Sequence, residues 1–92
     1  MGAMRAIMTV TGIDHTGIIA AVTTTLAKHD VNITNVSQTL MDDYFTMIMQ
    51  LDFDEEAHPL LEVQEAMRGV EAGEHLVIRI QADAIFRAMH TL

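Results

Sequence analysis

A chain of 92 residues holds one domain, because two independent cores would each be too small to be stable. Half of it is hydrophobic (50%), which supports a packed core and argues against disorder. Asp and Glu number 13 against 5 Lys and Arg, a formal net charge of −8. Phosphate backbones and anionic bilayers select clustered cations, whereas Arg5, Lys28, Arg68, Arg79 and Arg87 are scattered singly. Nucleic acid and membrane are therefore excluded as expected partners.

The absence of cysteine removes disulfides, thiolate nucleophiles and Cys-based metal centres, and it suits a reducing cytoplasm. No apolar run reaches the roughly 18–20 residues a bilayer span requires, and no signal-peptide pattern is present. Met1-Gly2-Ala3 reads as a leader ahead of Met4, which makes 4–92 the expected domain.

Met4–Thr11 alternates, with Ala6, Met8 and Val10 on one face and Arg5, Ile7 and Thr9 on the other, and predicts a strand. Gly12-Ile13-Asp14-His15-Thr16-Gly17 interrupts it, and a helix is expected to run to about His29. Ile18, Val22 and Leu26 form its apolar stripe, widened by Ile19. Val31–Met41 returns to strand composition. Asp42-Asp43 predicts a tight turn into Tyr44–Phe53, where Phe45, Met47, Met49, Leu51 and Phe53 alternate with Tyr44, Thr46, Ile48, Gln50 and Asp52. Asp54-Glu55-Glu56 is an acidic lead-in to a second helix carrying Leu60, Val63, Met67 and Val70, with Pro59 tolerable only in its first turn. Gly69 and Gly73 are expected to bracket its end. Glu74–Gln81 predicts a fourth strand, and Asp83 caps a short helix bearing Ile85, Phe86 and Met89.

The order predicts an α+β, ferredoxin-like βαββαβ sandwich: a four-stranded antiparallel sheet, two helices on one face, and a short C-terminal helix.

Chemistry concentrates in Gly12–Gly17, between the first strand and the first helix. A helix N-terminus offers unpaired N–H groups and a positive dipole end to a carboxylate. Asp14 beside it suits an amino group, so a free amino acid matches both. The competing reading has Asp14 capping the helix and Gly12 allowing a turn. Spacing alone favours capping.

The run from Thr11 to Ile19, followed by Val31-Asn32-Ile33, resembles the ACT domain, as does the order of elements from Met4 onward. Val36-Ser37-Gln38-Thr39, Asp43-Tyr44-Phe45-Thr46-Met47 and Ala84-Ile85-Phe86-Arg87-Ala88-Met89 resemble small stand-alone bacterial ACT proteins without an assigned activity. The resemblance implies a non-enzymatic regulatory domain that binds an amino acid or other small effector between two domains, with no cofactor. It implies a ligand site at Gly12, Ile13, Asp14, His15, Thr16, Gly17, Ile18 and Asn32. Asp14 falls where amino-acid-binding members use Asn or Asp, and Asn32 falls where many use Asn. Gly12 stands where some members place a ligand-holding His, so that contact is missing here.

His15, His29, His58, His75 and His90 show neither i, i+4 pairing nor HxH spacing, and read as lone surface histidines rather than metal ligands. Asp52, Asp54, Glu55 and Glu56 lack calcium-loop spacing and read as a solvated helix start. Most of the methionines fall on apolar faces, which assigns them to the core. An RNA-binding module of the same topology needs a basic aromatic sheet face, and acylphosphatase needs an Arg in the first loop; neither is present. The strand Asn32–Met41 is expected at a sheet edge, which predicts a homodimer or a regulated protein partner. A ligand-independent dimerisation or partner-binding module is the alternative to a sensor.

Overall fold

The computed structural model describes residues 2–89. β1 (Ala3–Ile13), α1 (Ile18–Lys28), β2 (Asn32–Met41), β3 (Tyr44–Asp54), α2 (Leu60–Glu74), β4 (Leu76–Ala82) and α3 (Asp83–Met89) follow in that order. The strands form one antiparallel sheet, β2-β3-β1-β4. This is the expected βαββαβ arrangement.

Alternation puts Ala6, Met8 and Val10 of β1 on the same face as Phe45, Met47, Met49, Leu51 and Phe53 of β3 and Ile78 and Ile80 of β4. Ile18, Val22 and Leu26 of α1 and Val63 and Met67 of α2 close over that face. Each of these side chains larger than Ala6, once fully buried, contributes about 1.5–3 kcal/mol relative to exposure, and together they supply the main favourable term of folding. On the opposite face Ile7 is nonetheless buried, where α3 packs against β1 and β4.

Several boundaries differ from the sequence reading. β1 continues through Gly12 to Ile13, because Gly12 pairs with both Phe45 and Leu76. A Cβ there would lie 2.7 Å from Leu76 Cδ2, so the glycine serves close packing within the sheet and not a turn. Gly69 lies inside α2, whereas Gly73 is next to its last residue, Glu74; both have open space where a side chain would sit. Asp54 closes β3, and Glu55 and Glu56 fall in the turn before α2, whose N-cap is Pro59. Gly2 and Ala3 join the fold: Ala3 pairs with Asp54, and the Gly2 carbonyl accepts the Glu55 N–H at 2.6 Å.

Two glycines have opposite requirements. Gly17 adopts φ 93°, a left-handed conformation that an L side chain strains, whereas Gly69 is helical. Gly17→Ala is expected to lower stability by about 1–2 kcal/mol. Gly69→Ala is expected to raise it by about 0.5–1 kcal/mol. Urea denaturation of the two variants checks both signs.

Candidate functional site

The β1–α1 connection is short and anchored at both ends. The Asp14 N–H donates to the Asp43 carbonyl at 2.7 Å, tying the loop to the β2–β3 turn, where Asp42 has φ 53°. Gly17 is the N-cap of α1 and supplies no side-chain cap, so Asp14 does not cap the helix. That removes the reading which spacing alone preferred. The first turn of α1 carries no acidic residue, and no side chain caps its N–H groups.

The expected site residues divide by what they already do. Ile13, Asp14 and Thr16 are exposed, whereas Ile18 is buried in the core and offers a ligand only its backbone. Gly12 lies in the sheet against Leu76. The two His15 ring nitrogens face the Thr16 and Glu74 carbonyl oxygens, each at 3.0 Å. Both must donate, which favours the imidazolium; the Thr16 and then the Glu74 hydrogen bond raise the His15 pKa above its ordinary value. His15 thus staples the start of α1 to the end of α2.

Asn32 lies elsewhere in the same chain. It pairs with Asp52, whereas Ile13 and Met41 both pair with Tyr44. The separation along β3 from Tyr44 to Asp52 is roughly 27 Å at strand rise. Loop and Asn32 therefore occupy opposite ends of the sheet.

The two sheet edges are treated differently. On β4, the outward Ile78 N–H donates to Glu71 Oε2 at 2.7 Å, and the Ile80 carbonyl accepts from Gln64 Nε2 at 2.8 Å. Side chains of α2 thus occupy that edge. β2 is exposed along nearly its whole length, including Val36 (48%) and Leu40 (59%), which share the helix-side face with Met49 and Phe45. A bulge at Thr34 shifts its register against β3.

A second cluster was visible as spacing only in part. His29, His58 and Glu62 converge where α1 ends and α2 begins: Glu62 Oε2 lies 2.8 Å from His29 Nδ1 and 2.6 Å from His58 Nδ1. Hydrogen bonds from His58 and then His29 hold the Glu62 carboxyl below its usual range. Glu62, and more weakly Asp30, raise the His58 pKa. Sequence reasoning weighed the histidines against one another and omitted the i, i+4 pair of His58 with a glutamate. His90 lies outside the described residues.

The ACT domain profile matches residues 5–81. The chain belongs to the ACT domain family. A UPF0237 protein of Corynebacterium glutamicum is 60% identical over 89 residues, 97% of this chain and 100% of its own. The solved ACT domain protein from Streptococcus pneumoniae superposes with a TM-score of 0.78 at 34% identity, covering 97% of each chain. The regulatory subunit of aspartate kinase from Thermus thermophilus shares the fold at 22% identity, with a TM-score of 0.68 over 88% of this chain and 55% of its own. No helix among the described residues of this ACT domain is long and apolar enough to cross a membrane.

His15 allows a pH test. Its raised folded-state pKa makes its contribution complete below about 6.5, the unfolded value, and lost as pH rises through the folded value. Wild type is expected to melt above His15→Gln at acid pH, and the difference to close as pH rises. Melting temperatures across that window check this; a gap independent of pH would contradict it.

Proposed function

We propose that this ACT domain is a cytoplasmic regulatory homodimer, binding and not catalytic, that holds a free amino acid between two copies. The reading is carried by the asymmetry of the sheet edges. β4 is occupied by Gln64 and Glu71, whereas β2 offers unpaired backbone flanked by Val36 and Leu40. Two β2 strands pairing antiparallel about a twofold axis would extend the sheet and cover that apolar surface.

Such pairing also unites the separated site residues. β2 runs from the Asn32 end to the loop end of the sheet. In an antiparallel pair, Asn32 of one copy lies beside Met41 of the other, next to the loop of Gly12–Ile18. The α1 N-terminus then receives the ligand carboxylate, Asp14 its ammonium group, and Asn32 of the partner subunit completes the site. Effector binding would stabilise the dimer, and the effect on assembly is what a regulated protein would read.

Sedimentation and a thermal-shift screen against the amino acids test this together. A dimer at micromolar concentration is expected. A ligand at 100 times its Kd adds about 2.7 kcal/mol of stability, visible as a raised Tm. Asp14→Ala and Asn32→Ala should each abolish the shift, and mixing the two variants should restore it in part, since each mixed dimer keeps one intact site. A monomer, or unchanged affinity in both variants, would defeat the reading. A dimer with no ligand response would make the chain a ligand-independent dimerisation or partner-binding module.

A further inference from the structure

The junction between the end of α1 and the start of α2 brings together His29, His58, Glu62 and Asp30, and backbone geometry fixes their positions. α1 closes in a Schellman turn: Asp30 N–H donates to the Ala27 carbonyl (3.1 Å), Val31 N–H to the Leu26 carbonyl (3.0 Å), and Asp30 takes φ 55°. That turn presents His29 and Asp30 side by side, with Val31 buried beneath. On the facing element, the Pro59 carbonyl accepts the Glu62 N–H at 2.9 Å, and the His58 N–H donates to Asp54 at 2.8 Å. His58 and Glu62 are thereby set one helical turn apart. The imidazoles meet edge to face, with centroids 5.8 Å apart.

We propose that His29 Nδ1, His58 Nδ1 and a Glu62 carboxylate oxygen form a site for a divalent transition metal of the zinc class, with Asp30 orienting His58 from behind. The three ligand atoms lie within 4.8 Å of one another. Two imidazoles and a carboxylate are a donor set that zinc uses when a fourth position is left for water or another ligand. The arrangement around His58 is the stronger argument. Its Nε2 faces Asp30 Oδ2 at 3.3 Å while its Nδ1 faces Glu62 Oε2 at 2.6 Å. An imidazole that donates Nε2–H to one carboxylate turns a lone pair on Nδ1 toward the other, so a cation, proton or metal, must stand between them. A carboxylate behind a ligating histidine is the usual second support of a zinc ligand, fixing its tautomer and orientation.

Tetrahedral zinc at about 2.0–2.1 Å from each donor separates those donors by ~3.3 Å. The present spacings of 2.6 and 2.8 Å would open by roughly half an ångström on metal uptake, a movement the half-exposed Glu62 side chain permits. The site lies at the opposite end of α1 from the Gly12–Gly17 loop, so it neither depends on the amino-acid reading nor competes with it. Bound metal would clamp the end of α1 to the start of α2.

Titration of untagged, metal-free protein with zinc chloride, followed by calorimetry and by melting temperature, tests this. One ion per chain is expected, with Tm rising as metal is added. Asp30→Asn should weaken binding by about 10–100-fold, and His29→Ala, His58→Ala and Glu62→Gln by more than that. His75→Ala should change nothing. Glu62→Gln preserves side-chain volume, and its metal-free melt serves as its own baseline, against which added zinc should give no rise in Tm. Substoichiometric uptake by wild type, or wild-type affinity in His29→Ala and His58→Ala, would overturn the site and leave a hydrogen-bonded ionic cluster.

Discussion

The sheet has one face that must be kept from water, and the rest of the architecture follows from covering it. Ala6, Met8, Val10, Met47, Met49 and Leu51 lie at the middle of that face and are almost wholly buried. Two helices suffice to cover it, and the strand–helix–strand connections oblige them to run antiparallel. The start of α1 therefore meets the end of α2, where His15 reaches Glu74. The end of α1 meets the start of α2, where His29 reaches Glu62. Every polar cluster between the helices is a consequence of that antiparallel fit. The positions also suit the helix dipoles: Glu62 stands in the first turn of α2, and His29 at the end of α1.

Covering one face leaves two strands at the margins, and a small domain must deal with both. β4 is managed internally by Gln64 and Glu71, which turn from α2 onto its outward backbone. Among the described residues β2 has no such attendants, and it carries the exposed apolar side chains Val36 and Leu40. The contrast gives the edge a direction: one side is closed within the chain and the other is available. Charge adds to this. Arg5, Arg68, Arg79 and Arg87 each pair with a carboxylate, leaving the surplus acid to dominate the surface. Exposed pairs of this kind contribute about 0–1 kcal/mol each, so they shape the surface potential more than the stability.

The loop at Gly12–Ile18 shows how structural duties narrow a candidate site. Ile18 is part of the core, Gly12 is part of the sheet, and the ring of His15 is bonded to two carbonyls. What is left exposed in the loop is Ile13, Asp14 and Thr16, beside the first turn of α1. Asn32 lies at the far end of the sheet, so within one chain it does not meet the loop.

Periodicity was enough to define the strands and both main helices, since Phe45 through Phe53 alternate and Ile18, Val22 and Leu26 recur as a helix face must. Those signals are local and survive any packing. The glycines misled because their meaning is not local: Gly12 makes room for Leu76, 64 positions further on, and Gly69 faces open space inside a helix. Asp14 looked like a cap because composition cannot show that Gly17, in a left-handed conformation, already ends the turn. The histidine cluster was hidden for the same reason, with His29 and His58 joined only where α1 and α2 meet. The amino-acid sequence by itself determined which faces are apolar and in what order the elements come, because side-chain periodicity follows backbone geometry. Only the tertiary structure decided which edge is closed, which loop residues remain available and which titratable groups meet, because those depend on contacts between residues far apart in the chain.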